Sequence, residues 1–209
     1  MNPDAALAAG VDELGLKLEP FQRKQLLTYI RLLAKWNEVY NLTAIRDERE
    51  MLNHHLLDSL ALVPHVDGRH FLDVGSGAGL PGIPVAIARS EWEVTLLDSN
   101  QKKAAFLQQA VIELQLPNTA VRSARVESWQ PAGTFDVIAS RAFSSLADFV
   151  GKSQHLLAAH GVFAAMKGSY PEAELARLPK DFKVRSVTRL AVPGLPGDRH
   201  LVLVERATS

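Results

Sequence analysis

The stretch Phe71-Leu-Asp-Val-Gly-Ser-Gly-Ala-Gly79 combines an apolar strand with a turn that contains three alternating glycines. Such a strand-to-helix turn lets a ligand approach the backbone, because a Cβ at these positions would block it. The next residues, 80–89, predict a helix. About 20 residues beyond the turn, a second apolar strand ends at Asp98, from which a carboxylate can accept the hydroxyls of a ribose. The pattern predicts a cofactor that contains a nucleoside.

The glycine spacing discriminates between cofactors. A dinucleotide site would prefer Gly-x-Gly-x-x-Gly, whereas this chain has Gly75, Gly77 and Gly79. Asp73, just ahead of them, is expected to face the crevice, where it would repel a diphosphate but suit the ammonium and sulfonium charges of S-adenosyl-L-methionine. No Gly-Lys-Ser/Thr follows, which excludes a P-loop. The spacing favours S-adenosyl-L-methionine, with a dinucleotide site and an ordinary glycine turn as alternatives.

The composition limits the class of protein. With 209 residues, of which 47% are hydrophobic, the chain can fill one substantial core, and a second full domain is not expected. It has no cysteine, which excludes disulfides, thiolate zinc sites and a cysteine nucleophile, and a cytoplasmic location is expected. No run approaches the ~18 apolar residues of a membrane span, so no membrane contact is expected. The net charge is zero, so RNA contacts would need locally clustered basic residues.

The hydrophobic pattern divides the chain into a helical N-terminal extension, residues 1–68, and a cofactor-binding α/β core, residues 69–209. Pro20 suits the first turn of one helix. The capping pattern Asp47-Glu-Arg-Glu50 predicts the start of a second helix that runs towards Pro64, and Ser169-Tyr-Pro-Glu172 predicts a short third one. We expect these parts to form a single domain and the protein to be a monomer, with no protein partner evident.

Short apolar strands alternate with helical stretches in the core, which is typical of a parallel sheet. The last two strands are joined by so short a connection that they must be antiparallel. The sequence thus predicts a mostly parallel seven-stranded sheet with a C-terminal antiparallel hairpin. The strands without a position given above are predicted near 120–122, 135–140, 161–166, 184–192 and 200–205.

Charged residues follow the predicted strands in a consistent order. Asp73 and Asp98 end the first two strands, where the cofactor should lie, and basic residues follow the later ones. A neutral protein with basic residues at one rim suggests a polyanion such as RNA, bound through its phosphates, although scattered solubilising charges are the alternative. The candidates for contact with RNA are Lys102, Lys103, Arg125, Lys167 and Arg199.

Other polar and aromatic residues have simpler explanations. His54 and Asp58 lie four residues apart on a predicted helix, beside His55, but no third ligand has the right spacing, so no metal site is expected. Trp36 and Tyr40 fit packing better than base stacking.

Six stretches carry a resemblance to the RsmG (GidB) family, bacterial methyltransferases that act on 16S ribosomal RNA. Its fold, a Rossmann-like class I S-adenosylmethionine-dependent methyltransferase fold, agrees with the predicted strands. The resemblance implies methyl transfer to N7 of one guanine in the 530 loop, with 16S rRNA or a small ribosomal subunit particle as partner. The stretches are Lys35-Trp-Asn-Glu-Val-Tyr-Asn-Leu-Thr43, His55-Leu-Leu-Asp-Ser59, Asp73-Val-Gly-Ser-Gly-Ala-Gly-Leu-Pro-Gly-Ile-Pro84, Leu97-Asp-Ser99, Ser140-Arg-Ala-Phe143 and Gly197-Asp-Arg-His200.

The resemblance also implies roles for individual residues. Cofactor contacts are carried over to Gly75, Leu80, Asp98, Val126, Glu127 and Arg141. Guanine N7 has a free lone pair, so catalysis is expected to rest on positioning without a general base. Arg141 is the candidate catalytic residue, through contact with O6 or orientation of the cofactor. A non-catalytic cofactor sensor, a methyltransferase for small molecules or proteins, and a nicotinamide oxidoreductase are the alternatives.

Overall fold

The computed structural model describes residues 2–141, 143 and 145–207; Ala142 of the Ser140–Phe143 stretch lies outside them. A helical N-terminal region precedes a core in which strands and helices alternate. The N-terminal helices are α1 (Pro3–Glu13), α2 (Pro20–Tyr40), α3 (Glu48–Met51), a π-helical segment (Leu52–Leu57) and α4 (Asp58–Leu60). The core helices are α5 (Gly82–Ala88), α6 (Gln101–Glu113), α7 (Leu146–Ser153) and α8 (Glu172–Leu175), with 3-10 turns at Val63–His65, Val126–Ser128 and Gln154–Leu156.

The seven strands form one sheet in the order β3-β2-β1-β4-β5-β7-β6. The first five strands are parallel, and β7 pairs antiparallel with both β5 and β6. The predicted fold class is therefore confirmed, and the crevice for a ligand lies where the strand order reverses, beyond the carboxyl ends of β1 and β4. The strands are β1 (His70–Val74), β2 (Glu93–Asp98), β3 (Thr119–Ser123), β4 (Phe135–Ser140), β5 (Leu157–Lys167), β6 (Phe182–Arg189) and β7 (His200–Arg206).

Two local predictions differ from the structure. The short helix α8 begins at Glu172 after Pro171, with no capping hydrogen bond from a side chain, so Ser169 does not start it. The second N-terminal helix does begin after Asp47, whose side chain accepts from the N–H groups of Arg49 and Glu50. It then widens into the π-helical segment Leu52–Leu57, a change that the apolar periodicity does not reveal.

The sheet separates two apolar layers. Phe71 packs in the layer beneath α2, α5 and α6, whereas Leu72 and Val74 pack in the layer beneath α7. Successive side chains of a strand alternate between the two faces, so Asp73 shares the face of Phe71. None of the described helices combines the length and hydropathy that a membrane-spanning helix needs.

Polar contacts fix α2 to the core along its length. Gln22 donates a hydrogen bond of 2.6 Å from Nε2 to the carbonyl oxygen of Ile87, at the end of α5. Further along α2, the hydroxyl of the fully buried Tyr29 donates to the carbonyl oxygen of Ala78, 2.6 Å away, in the turn before α5. Helix α2 is thus antiparallel to α5, and its C-terminal end points towards the carboxyl edge of the sheet.

Candidate functional site

The glycine turn after β1 has the backbone conformation that its composition predicts. Gly75, Gly77 and Gly79 have φ angles of 70°, 57° and 90°, in the left-handed region that favours glycine. The N–H groups of Gly75 and Ser76 both donate to the carbonyl oxygen of Leu97, at 2.8 and 3.1 Å, and so draw the turn onto β2. A Cβ on Gly79 would lie 2.4 Å from Cδ1 of Ile83, so this glycine also permits α5 to pack closely.

Asp98 links the glycine turn to the end of β2. Its Oδ2 accepts from the N–H of Gly77 and its Oδ1 from the N–H of Asn100, both at 2.8 Å. The residue is 7% exposed, so the carboxylate is fixed at the edge of the crevice. Each oxygen retains a second lone pair that can accept a hydroxyl of a ribose.

A cavity of about 180 Å³ lies beside Asp98. The residues fit the nucleoside part of S-adenosylmethionine, because apolar side chains and backbone line the cavity beside the fixed carboxylate of Asp98. The backbone of the glycine turn adds a cradle that a Cβ would obstruct. The cavity is lined in part by Gly75, Asp98, Arg125, Val126, Glu127 and Phe143.

Glu127 lies at the open side of this cavity. Its side chain is 45% exposed and forms an ion pair with Lys152, at 3.5 Å. A hydrogen bond from its own backbone N–H lowers the pKa of Glu127, and Lys152 lowers it further. The carboxylate is therefore charged at neutral pH and available to a hydrogen-bond donor from the solvent side.

Asp73 lies beneath the glycine turn, near enough to Arg141 and Asp98 for their charges to act on its carboxyl group. The residue is fully buried on the α5 side of the sheet, where Oδ2 accepts from the N–H of Gly82 at 2.9 Å. Its Oδ1 has no hydrogen-bond partner among the described residues. Burial raises the pKa of Asp73 to about 7. Asp73 thus holds the start of α5 against β1 through Oδ2, and a contact between its Oδ1 and the cofactor stays a prediction. Leu80, another predicted contact, packs in the core beneath the turn.

Arg141 follows β4 at the same edge and is anchored to the N-terminal region. Its Nη2 lies 3.2 Å from Oδ2 of Asp58 and donates to the carbonyl oxygen of His54 at 3.3 Å. Its Nη1 donates to Oγ of Ser59 at 3.2 Å. The side chain is 26% exposed, so part of the guanidinium remains accessible from the crevice edge. Arg141 is thus a positioned cation, held by three groups of one helical segment.

The five candidate RNA contacts fall into two groups. Lys102, Lys103 and Arg125 form no ion pair within the described residues, and Lys102 and Arg125 are well exposed. Lys167 is 12% exposed and lies 2.8 Å from Oε2 of Glu174. Arg199 lies 3.3 Å from Oδ1 of Asp58, an ion pair whose geometry falls outside that of a hydrogen bond. The first group therefore offers positive charge that no ion pair among the described residues neutralises, whereas both members of the second group are paired with an acid.

The sequence reasoning missed the role of Asp58. It is 3% exposed and joins Arg141 to Arg199, although its spacing from His54 suggested only a metal ligand. No group of three or more potential metal-binding side chains occurs in the described part of the chain. Asp58 stands in the stretch His55-Leu-Leu-Asp-Ser59, and an acid on an apolar, buried helix face is the signal that could have indicated a buried cation as its partner.

The fold is the Rossmann-like fold of class I methyltransferases. Among solved structures, the glycopeptide N-methyltransferase MtfA in complex with S-adenosyl-L-homocysteine matches with a TM-score of 0.64 and 13% identity, over 73% of this chain and 87% of that one. A SAM-dependent methyltransferase from Aquifex aeolicus matches with a TM-score of 0.56 and 20% identity, over 71% and 89% of the two chains. At these identities the likeness shows the fold.

The family is shown by sequence. The model of the GidB family, described as rRNA small subunit methyltransferase G, matches residues 22–202. Relatives named ribosomal RNA small subunit methyltransferase G include one from Laribacter hongkongensis, 57% identical over 97% of this chain and 98% of the relative. Another, from Neisseria meningitidis, is 54% identical over 99% and 100% of the two chains. The chain belongs to the GidB family, as predicted, and the cofactor of this family is S-adenosyl-L-methionine.

Proposed function

We propose that this chain transfers a methyl group from S-adenosyl-L-methionine to N7 of one guanine in the 530 loop of 16S rRNA. The family match carries the proposal, because over residues 22–202 it spans the N-terminal region from α2 onward as well as the cofactor crevice. The relatives' names specify small-subunit rRNA, and the resemblance supplies the nucleotide and the atom. We propose that the protein acts as a cytoplasmic monomer on naked 16S rRNA or on a small ribosomal subunit particle.

The residues of the crevice suit recognition of the cofactor. When bound, S-adenosyl-L-methionine supplies an electrophilic methyl group on a positively charged sulfur. Asp98 would accept the ribose hydroxyls, because both its oxygens are already oriented by backbone N–H groups. The cavity near Val126 and Glu127 would hold the adenine, and the backbone of Gly75 and Gly77 would border the remainder.

The residues after β4 favour attack by a ring nitrogen that needs no deprotonation. Similar enzymes that act on exocyclic amines have an Asn/Asp-Pro-Pro-Tyr/Phe motif after this strand. This chain lacks the motif and has Ser140-Arg-Ala-Phe143 there instead. Of the nearby carboxylates, Asp58 forms ion pairs with two arginines and Asp73 is buried beneath the turn. Neither is free to act as a general base. Positioning N7 in line with the methyl group can supply roughly 7–11 kcal/mol of the barrier reduction.

Arg141 has a role that agrees with this chemistry. Attack by N7 leaves positive charge on the guanine, so an isolated cation beside the ring would oppose the reaction. The carboxylate of Asp58, 3.2 Å from Arg141, offsets that charge while leaving N–H groups for hydrogen bonding. We assign Arg141 to orienting the guanine through O6 or to orienting the cofactor.

Methyl transfer from labelled S-adenosyl-L-methionine tests the proposal. The substrates are 16S rRNA and 30S particles from a strain that lacks this protein, and cleavage at N7-methylguanine maps the product. Label at one guanine in the 530 loop is the expected result. Bound cofactor without transfer to either substrate would overturn the proposed activity and favour the sensor alternative. An Asp98→Ala variant, which should not retain the cofactor, controls for contaminating methyltransferases.

A further inference from the structure

The C-terminal end of α2 projects over the carboxyl edge of the sheet. Tyr29, in the middle of the helix, is hydrogen-bonded to the glycine turn at Ala78. Tyr40, the last residue of α2, lies about three turns further, roughly 16 Å along the axis at the α-helical rise. Because α2 is antiparallel to α5, this last turn extends beyond the level of the glycine turn, on the side where a substrate approaches.

Aromatic side chains follow one face of α2 towards that end. At about 100° per residue, Tyr29, Trp36 and Tyr40 lie within roughly 40° of each other around the helix. The ring of Trp36 packs against that of Phe106, with 5.6 Å between centroids, and stacks on that of Tyr40, with 5.1 Å between centroids and 27° between planes. Tyr40 is 43% exposed. One face of its ring is thus supported by Trp36, and much of the rest is open to solvent.

Helix α6 brings positive charge to the same place. It is antiparallel to α2, because Gln25 near the start of α2 donates to the carbonyl oxygen of Leu114 after α6, whereas Trp36 contacts Phe106 in its first half. Helix α2 ends one turn after Trp36, and α6 begins about one turn before Phe106. The end of α2 therefore lies level with the start of α6.

Lys102 and Lys103 occupy that first turn of α6, and Tyr40 occupies the facing turn of α2. The Nζ atom of Lys103 lies 4.0 Å from where a Cβ of Gly77 would stand, so this lysine reaches the glycine turn. Neither lysine forms an ion pair with a carboxylate in the described ranges. A supported aromatic ring beside free cations fits an unpaired base and its neighbouring phosphates.

We propose that Tyr40 is a stacking surface for an unpaired base of the rRNA substrate and that Lys102 and Lys103 bind the adjoining phosphates. The proposal rests on rRNA being the substrate and adds a contact away from the reacting guanine. It revises the expectation that Tyr40 only packs, whereas Trp36 and Phe106 keep their packing role. Stacking tolerates any base, so this site strengthens binding and leaves sequence discrimination to other contacts.

Substitutions at Tyr40 separate stacking from packing. Tyr40→Ala should raise both the Kd for a fluorescent 530-loop oligoribonucleotide and the KM for 30S particles about tenfold, with kcat unchanged. Tyr40→Phe keeps the ring and should stay within about twofold of the unsubstituted protein. Val39→Ala is the matched control, because Val39 is 71% exposed in the same turn and has no ring. Cofactor affinity and Tm should be the same in all three variants.

Each outcome decides the proposal. Equal oligonucleotide Kd values for Tyr40→Ala and the unsubstituted protein would overturn it, as would equal losses in Tyr40→Phe and Tyr40→Ala. A parallel loss of cofactor affinity or Tm in Tyr40→Ala would assign the ring to folding and overturn it too. Failure of the proposed function gives a different result, because the unsubstituted protein would then methylate neither substrate. The oligonucleotide titration needs no turnover and still tests the stacking.

Discussion

Arg141, which follows β4 at the crevice, lies 3.2 Å from the carboxylate of Asp58 in the N-terminal region. The side chain of Asp58 is 4% exposed, and its other oxygen lies 3.3 Å from Arg199, in the connection that leads into β7. One buried acid therefore ties together three segments that are distant in sequence. The N-terminal helices are part of the candidate active site, since they fix the cation that follows β4.

Asp58→Asn should lower methylation far more than cofactor binding. The amide keeps the shape of the side chain but loses the charge that fixes both arginines, so Arg141 becomes less well positioned. We expect the single-turnover rate to fall by about tenfold to a hundredfold. The free energy of unfolding should fall by about 2 kcal/mol, less than the ~3–5 kcal/mol of a fully buried pair, because both arginines reach solvent.

The control for this experiment is Asp198→Asn. Asp198 precedes Arg199 and pairs with Arg189 at 2.7 Å, but both side chains of that pair are well exposed. Its loss should change stability by less than about 1 kcal/mol and leave turnover intact. Asp58→Asn with the turnover of the unsubstituted protein would show that Arg141 does not depend on its anchor.

Asp98→Ala should abolish useful affinity for the cofactor. The substitution removes the ribose acceptor and also leaves the N–H groups of Gly77 and Asn100 without their partner. We expect the Kd for S-adenosyl-L-methionine to rise by at least about 100-fold in isothermal titration calorimetry, and by about tenfold for Asp98→Asn, which keeps one acceptor oxygen. Glu113→Ala, an exposed acid at the end of α6, is the control. Undiminished affinity in Asp98→Ala would place the ribose elsewhere.

The sequence was sufficient to predict those features in which the local backbone geometry restricts the choice of residue. The left-handed φ angles of Gly75, Gly77 and Gly79 require glycine, and an acid at the end of β2 is set by its position in the sheet. Hence the fold class, the glycine turn and the location of Asp98 could be predicted. The π-helical segment could not be, because its apolar pattern also fits an α-helix over so few turns.

The direction and pairing of charged side chains could not be predicted. Asp73 lies one residue from Val74, which lines the cavity beside Asp98, yet strand alternation turns Asp73 into the opposite layer. Lys167 lies at the carboxyl end of β5, close to its expected place, but Glu174 on α8 neutralises it at 2.8 Å. Asp58 and Arg141 meet only because the N-terminal helices pack against the carboxyl edge. Such contacts depend on tertiary packing between distant segments.

Two buried groups should give the free energy of unfolding opposing dependences on pH. Burial raises the pKa of Asp73 from 3.8 to about 7, so its stabilising contribution is complete below pH 3.8 and is lost as the pH rises through about 7. Burial lowers the pKa of His55 from 6.5 to about 4, so its contribution is present above pH 6.5 and is lost as the pH falls through about 4. Between about pH 4 and 6.5, the contribution of Asp73 falls with pH while that of His55 rises, so the two changes in the free energy of unfolding cancel.

Single substitutions should reveal each effect. Relative to the unsubstituted protein between pH 4.5 and 6.5, the free energy of unfolding of Asp73→Asn should rise with pH by up to about 1.4 kcal/mol per unit. That of His55→Gln should fall with a similar slope. Urea denaturation at several pH values measures both. Slopes equal to that of the unsubstituted protein would show that neither group titrates differently on folding.

The salt dependence of RNA binding should separate the two groups of basic residues. Lys102→Ala and Arg125→Ala each remove an exposed cation that forms no ion pair with the described side chains. Each should reduce the slope of log K against log salt by about 0.7–0.9. Lys167→Met should leave the slope unchanged, because Glu174 already neutralises this buried lysine.

Lys180→Ala completes this comparison as a control for general charge. Lys180 is exposed just before β6, whose first residue lies at the amino edge of the sheet, opposite the crevice. Removing it lowers the net charge by the same unit as Lys102→Ala but should leave the slope intact. Fluorescence titrations of 16S rRNA fragments between about 50 and 200 mM salt give the slopes. Equal slope changes for Lys102→Ala and Lys180→Ala would mean that RNA senses only the net charge, and the proposed RNA-binding rim would have to be abandoned.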